Sequence, residues 1–264
     1  MAPGGAFDLR RPARAVAIMT AMARGAEARL FVALDLPAEA RGELVAWARA
    51  AASIVREGSL DARASSTMTY RAVARSSGRR RESRPLPTRQ LRLLGDDTLH
   101  ATLCFLGNQP ASEIEALDST IGAACAEAAP VGELSFGAPL WLPPRHPRTL
   151  AVELHDTPDR ALEALHGALA AALAWVCESG VTAATLPAGL GVDGRTRRRF
   201  RPHVTVARMR PSEGPSERGL PPTPHLSFTP RTVTLHRSWL TPKEAVYEGL
   251  ATYALAAPAG RSEL

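Results

Sequence analysis

The stretch LHATLCFLG, residues 99–107, places His100 and Thr102 two positions apart inside an apolar run. Successive side chains of a β-strand point to opposite faces, so residues two apart share a face. His100 and Thr102 are therefore predicted to project side by side, while their apolar neighbours pack on the other face. Such a strand presents an imidazole and a hydroxyl together on one surface.

The same pattern returns later in the chain as RPHVTVAR, residues 201–208. His203 and Thr205 share one face, and Val204 and Val206 lie on the other. With seven histidines in 264 residues, the composition predicts roughly 0.2 His-x-Thr-apolar strings by chance. Two such strings, each inside a strand-like run, therefore indicate a shared site.

A third string, His155-Asp156-Thr157, is interpreted differently. Pro158 follows it, and an amphipathic helical pattern comes next. Thr157 is therefore predicted to cap that helix, with Pro158 at the first helical position. His155 is expected to end the preceding strand and is not assigned to the site.

Length and composition are typical of a globular protein with one large domain or two lobes. The chain has 264 residues, 45% hydrophobic and 22% charged, and no apolar run reaches the ~18 residues of a membrane span. Residues 13–23 form a weak secretory-signal pattern that contains an arginine, and Met22 is an alternative translation start to Met1. We expect a cytoplasmic protein with no membrane partner.

The spacing of the cysteines and the net charge of the chain indicate which kinds of ligand the protein can bind. Cys104, Cys125 and Cys177 form no CxxC pair or Cys/His cluster, so we expect buried free thiols and no metal site. The net charge is +6, and Lys243 is the single lysine among 32 basic residues. Guanidinium groups bind phosphates in a bidentate manner, which favours a polyanionic partner such as RNA.

Each motif strand lies within a block of strands and amphipathic helices. RLFVALDL, residues 29–36, is predicted to be a buried strand, and the helix after it keeps an apolar face to about residue 55. Serine, arginine and proline dominate residues 57–90, which are predicted to be a flexible insertion. Its arginines are either a solvated loop or an arm that binds RNA.

These blocks predict an α+β fold with two pseudo-symmetric lobes of antiparallel sheet plus helices around a central cleft. The two His-x-Thr strands are expected to meet across that cleft. We expect residues 29–257 to form a single bilobal catalytic domain. Residues 1–28 are then a disordered extension and residues 258–264 a tail.

Two histidines that meet in this way suit acid–base catalysis. One can accept a proton from a nucleophile while the other donates one to a leaving group, since the unperturbed pKa of histidine is about 6.5. Threonine hydroxyls and arginines can share the charge of a phosphoryl group, so no metal is required. Because both motifs have the same pattern, the sequence does not indicate which histidine is the acid and which is the base. Structural or surface roles are predicted for the other lone histidines, His146, His166, His225 and His236.

On these motifs the sequence resembles the 2H phosphoesterase superfamily, and within it the bacterial RNA 2′,3′-cyclic phosphodiesterases, also called 2′-5′ RNA ligase-like proteins. The resemblance rests on RLFVALDLP, LHATLCFLG and FRPHVTVAR in this order and covers residues 29–257. It implies hydrolysis of a 2′,3′-cyclic phosphate to a 2′-phosphomonoester, without a metal or cofactor. The implied partner is an RNA end with a 2′,3′-cyclic phosphate or a small cyclic nucleotide, and we expect a monomer.

The resemblance also implies roles for individual residues. His100 is implied to be the proton donor to the leaving 3′-oxygen, and His203 the proton acceptor that activates water. Thr102 and Thr205 are implied to bind the phosphate oxygens.

Phe105 and Arg208 match the family pattern, each five residues past its histidine. An aromatic ring there could stack on a base, and an arginine could bind phosphate. An odd offset on a regular strand points to the opposite face, so both roles require a bulge or a strand end. On a regular strand, Phe105 is instead expected to pack in the core.

Two other functions stay open at this stage. One is reversible 2′-5′ ligation of RNA ends at the same site, with a ribose 5′-hydroxyl in place of water. The other is a non-catalytic RNA-binding module in which the arginines dominate. The paired motifs argue against the binding module, because RNA binding alone does not require both histidines.

Overall fold

The structure is a computed structural model that describes residues 27–77, 91–145, 147–178, 200–209, 219–241 and 245–258. Most of the expected N-terminal extension, residues 78–90 of the expected insertion, His146 and most of the C-terminal tail lie outside these ranges. Residues 27 and 28, which the extension was expected to include, belong to the first strand instead.

Nine strands of the described chain form one sheet, and every strand pair is antiparallel. The strands are β1 (Glu27–Asp35), β2 (Leu91–Leu93), β3 (His100–Pro110), β4 (Leu134–Leu142), β5 (Thr149–His155), β6 (His203–Met209), β7 (Ser227–Phe228), β8 (Thr232–Leu240) and β9 (Ala245–Ala254). The helices are α1 (Ala38–Ser77), α2 (Ile114–Glu127) and α3 (Ala161–Glu178). The predicted α+β class is confirmed.

The strand order places the two motif strands at the centre of the sheet. The order is β7-β4-β5-β6-β3-β1-β8-β9, and β2 pairs with β6 in addition. Ala101 of β3 lies opposite Val204 of β6, and both are fully buried. One half of the sheet, β1, β8 and β9, thus continues from β3, and the other half, β5, β4 and β7, continues from β6. The division into two lobes around a cleft stays a prediction.

Apolar helix faces cover the core side of this sheet. Leu44 of α1, Leu117 and Ile121 of α2, and Leu165 and Leu169 of α3 are at most 2% exposed. Complete burial of such a side chain contributes about 1.5–3 kcal/mol relative to leaving it exposed. The apolar spacing predicted for each helix is therefore confirmed, and the opposite face of β3 and β6 stays available for polar groups.

Helix α1 is longer than its apolar pattern predicted. It runs to Ser77, whereas the pattern indicated a break after residue 55 and a flexible insertion from residue 57. The added residues contain no proline and include alanine, arginine, leucine and methionine, which favour helix without an apolar face. The prediction of an irregular segment is therefore wrong up to Ser77.

The start of α3 also differs from its prediction. His155 ends β5 as expected, but the helix begins at Ala161 rather than at Pro158. The Asp156 carboxylate accepts hydrogen bonds from the backbone N–H groups of Leu162 (3.1 Å) and Glu163 (2.9 Å). A carboxylate is a stronger acceptor than a hydroxyl at the positive end of a helix, so Asp156 caps α3 and the prediction for Thr157 is wrong.

Candidate active site

The pairing of β3 with β6 brings the four motif side chains onto one face of the sheet. Because Ala101 faces Val204 in an antiparallel pair, the residues on either side of them also face each other. The two facing pairs are His100 with Thr205, and Thr102 with His203. All four side chains are partly exposed, whereas Ala101 and Val204 are buried. His100 and His203 occupy diagonal positions of the pair, which on such strands lie about 7–8 Å apart.

Both histidines are oriented by the same local hydrogen bond. His100 Nδ1 lies 2.8 Å from the carbonyl oxygen of Thr98, and His203 Nδ1 lies 2.8 Å from that of Arg201. A carbonyl oxygen only accepts, so Nδ1 carries the hydrogen in each ring. Nε2 is therefore the nitrogen that each histidine can use to accept or donate a proton.

A β-bulge brings Phe105 to the same face as His100. The register between β1 and β3 shifts at Leu103, so Leu103 and Cys104 are both buried and the alternation restarts one residue later. Phe105 is consequently 56% exposed. The expectation that it packs in the core is wrong, because that expectation assumed a regular strand.

An equivalent bulge brings Arg208 to the face of His203. The register between β5 and β6 shifts at Val206, and Val206 and Ala207 are both buried. Arg208 is therefore exposed on the motif side of the sheet. Each bulge comes three residues after its histidine, so the two strands repeat the same irregularity.

An aromatic cluster surrounds His100. The rings of Phe31 and His100 stack with centroids 4.9 Å apart, and Tyr247 meets His100 edge-on at 5.3 Å. His236 also stacks on Phe31 at 4.9 Å and lies 5.9 Å from His100. The first motif histidine is thus held by rings from β1, β8 and β9, which are far from it in the sequence.

This environment favours the neutral form of His100. Burial lowers the pKa of His100 to about 4, and positive charge on His236 and Arg208 acts in the same direction. The Thr98 carbonyl and the Asp35 carboxylate oppose this shift. His100 is therefore uncharged near neutral pH.

Asp35 and His236 lie side by side at the site, and the sequence assigned neither of them to it. Asp35 lies opposite His100 in the sheet, and its Oδ1 is 3.9 Å from His236 Nε2. Its Oδ2 accepts hydrogen bonds from the hydroxyls of Thr232 (2.8 Å) and Thr234 (2.7 Å). Burial raises the pKa of Asp35, but His236 and the two hydroxyls outweigh burial and leave that pKa lowered.

The structural or surface role predicted for His236 therefore misses its contact with the site. One signal was available, since Thr232, Thr234 and His236 alternate with apolar residues along one strand. Alternation places all three on a single face but does not tell which strand lies beside them.

His203 has a carboxylate in the equivalent position. Glu153 of β5 lies opposite His203, and its Oε1 accepts a hydrogen bond from Arg201 Nε at 2.8 Å. Arg201 is also the residue whose carbonyl orients His203. Each motif histidine thus has an acidic residue beside it on the neighbouring strand.

Among the described residues, no three His, Cys, Asp or Glu side chains are placed to hold one metal ion. Cys104 and Cys125 are buried free thiols, as predicted, and burial raises their pKa values to about 12 and about 11. The Cys177 side chain lies outside the described part. No helix of that part has the length and apolarity needed to cross a membrane.

The sequence matches the family model of the 2′-5′ RNA ligase superfamily over residues 79–239. The chain belongs to this superfamily. The resemblance to the 2H phosphoesterases is confirmed at this level, and the bacterial cyclic phosphodiesterase subfamily stays a prediction. The match includes both motif strands but not β1 and β9, which supply Phe31, Asp35 and Tyr247 around His100. Among the curated proteins none matches the sequence significantly.

Solved structures share the fold of this superfamily member. A crystal structure of a phosphoesterase has 24% identity and a TM-score of 0.55, covering 86% of this chain and 98% of its own. E. coli LigT complexed with 3′-AMP has 23% identity and a TM-score of 0.54, covering 87% and 98%. The protein TT0787 of Thermus thermophilus has 22% identity and a TM-score of 0.56, covering 88% and 100%. These values establish a common fold.

Proposed function

We propose that the protein hydrolyses 2′,3′-cyclic phosphates of RNA ends or small cyclic nucleotides to 2′-phosphomonoesters, without a metal or cofactor. The observation that carries this proposal is the placement of His100, Thr102, His203 and Thr205 on one face, with both imidazoles oriented through Nδ1. Membership of the superfamily supports it. The structural relative E. coli LigT has been crystallised in complexes with 3′-AMP and with phosphate.

The reaction uses one proton transfer at each histidine. His203 Nε2 accepts a proton from water as the water oxygen attacks phosphorus. The bond between phosphorus and the 3′-oxygen breaks, and His100 Nε2 donates its proton to that oxygen. The hydroxyls of Thr102 and Thr205 donate hydrogen bonds to the non-bridging oxygens, where negative charge increases in the transition state.

Substrate binding supplies the conditions for His100 to act as the acid. The pKa of His100 is about 4 in the unliganded protein, so the ring needs a nearby negative charge to take up a proton. A phosphodiester anion between the motif strands provides that charge, and Asp35 acts in the same sense. Binding of the anion therefore raises the pKa of His100, and the ring takes up a proton from solvent. Arg208 offsets part of the phosphate charge.

We further propose that residues 29–257 form the catalytic unit, which acts as a monomer in the cytoplasm. Two buried free thiols, Cys104 and Cys125, fit a reducing compartment. Phe105, exposed beside Phe31 at a centroid distance of 6.1 Å, is assigned to stack on the substrate base.

Hydrolysis of an oligonucleotide that ends in a 2′,3′-cyclic phosphate, with EDTA present, tests this function. We expect a 2′-phosphate product, identified by ³¹P NMR, at a rate that EDTA does not change. Adding an RNA with a free 5′-hydroxyl distinguishes the ligase alternative, which predicts a 2′-5′-joined product in place of hydrolysis. RNA binding without any product would support the binding module and contradict the proposal.

A further inference from the structure

A row of polar side chains crosses three strands beside the motif residues. Arg208 of β6 lies opposite Arg92 of β2 on one side and opposite Thr149 of β5 on the other. Directly opposed residues of antiparallel strands share a face, so both guanidinium groups and the hydroxyl project on the same side of the sheet. Both arginines are exposed, and Thr149 is partly exposed.

Two arginines in directly opposed positions repel each other, which destabilises the pair. Three arginines elsewhere in the described chain pair with acidic residues, as Arg41–Asp96, Arg160–Glu163 and Arg201–Glu153. Among the described residues, no carboxylate pairs with Arg92 or Arg208. A bound anion would remove the repulsion, and a phosphodiester group offers oxygens that two guanidinium forks can share.

The row borders the motif residues directly. The bulge at Val206 places Arg208 on the face of His203 and Thr205. Arg208 comes three residues after Thr205, so their Cα atoms are at most about 10 Å apart along the strand. The charge of Arg208 also acts on His100. A phosphate held by this row would therefore lie next to the reacting phosphate, at the distance scale of neighbouring nucleotides.

We propose that Arg92, Arg208 and Thr149 bind the internucleotide phosphate adjacent to the reacting one, so that the protein prefers RNA ends over single cyclic nucleotides. The nature of the reacting end rests on the proposed function, whereas binding of the neighbouring phosphodiester does not. Arg208 contacts both phosphates in this arrangement. Arg92 contacts only the neighbouring phosphate, so a change at Arg92 tests binding of that phosphate separately from binding of the reacting one.

The test compares a cyclic-phosphate oligonucleotide with the matching cyclic mononucleotide as substrates of Arg92→Gln. We expect the ratio of their kcat/KM values to fall about tenfold, since the oligonucleotide alone has the lost contact. Thr149→Val should lower the same ratio by a smaller factor. Arg49→Gln, a matched change at an exposed arginine of α1 on the other side of the sheet, should leave the ratio unchanged.

A binding measurement separates this site from the catalytic proposal. Fluorescence anisotropy with an oligonucleotide ending in a 2′-phosphate should show about tenfold weaker binding to Arg92→Gln and a salt slope reduced by about one. If the wild type binds in this way but hydrolyses nothing, the proposed function fails and the phosphate site stands. An unchanged ratio with unchanged binding overturns the site. An equal loss in Arg49→Gln also overturns it, because it would mean general attraction by charge.

Discussion

The two motif histidines share a His-x-Thr-apolar pattern in sequence and have different neighbours in space. Phe31 stands opposite Phe105 in the first half, and the corresponding position opposite Arg208 in the second half is Thr149. His100 therefore packs among aromatic rings, and its pKa is lowered to about 4 by burial and nearby positive charge. The groups that shift the pKa of His100 therefore come from strands outside the repeated motif.

Removing Asp35 or His236 should shift the pKa of His100 in opposite directions. His236→Phe keeps a ring against Phe31 and removes the electrostatic contribution of His236 that lowers the pKa of His100, so that pKa should rise. Asp35→Asn removes a negative charge, so that pKa should fall further. We expect shifts of about 0.5–1 in either direction, each worth about 1 kcal/mol between the two protonation states. NMR titration of ¹⁵N-labelled histidine measures both variants without reference to activity.

Other charged groups around this pair stay constant in the comparison. Arg208 of β6 acts on His100 in both variants, and Tyr247 of β9 contacts the ring of His100. Arg237, next along β8, points to the opposite face, where it is buried over Trp239. If both variants shifted the pKa of His100 in the same direction, loosened packing would explain the change and the electrostatic interpretation would be wrong.

At the level of single elements, strand alternation predicted the motif faces but not the bulges. His100, Thr102, His203 and Thr205 lie on one face because a two-residue period holds over the first three residues of β3 and β6. The apolar residues that follow each threonine give no sign of where the period shifts. The register with β1 and β5 reveals the shift, and that register depends on strands remote in sequence.

Capping of α3 provides a test at the same scale. Asp156→Ala should destabilise the protein by about 1–2 kcal/mol, because it removes the acceptor for two helix N–H groups. Thr157→Ala, the matched change at the residue that the sequence favoured, should cost less than about 0.5 kcal/mol. Urea unfolding monitored by circular dichroism measures both. A larger loss of stability in Thr157→Ala than in Asp156→Ala would contradict capping by Asp156 and support the cap that the sequence predicted.

The whole sheet assembles the site from distant parts of the chain. Asp35 and Thr234, which share a hydrogen bond, are 199 positions apart. Helix and strand blocks were predictable from apolar spacing, since that information is local. The position of β8 beside β1 was not, because pairing between remote antiparallel strands depends on the complete core. The sequence therefore indicated both histidines and missed Asp35, His236 and Tyr247.

Each half of the sheet contributes one histidine, so loss of either histidine should remove most of the activity. The most direct measurement is kcat for cyclic-phosphate hydrolysis in His100→Ala, in His203→Ala and in the double variant. His155→Ala serves as the matched control, since His155 belongs to a His-x-Thr string outside the site.

We predict that each single variant loses about 10²–10⁴ in kcat. The double variant should lose little more than the worse single variant, because groups that act together are not additive. The control should keep its rate within about twofold. Near wild-type hydrolysis by either His100→Ala or His203→Ala would contradict acid–base catalysis by this pair.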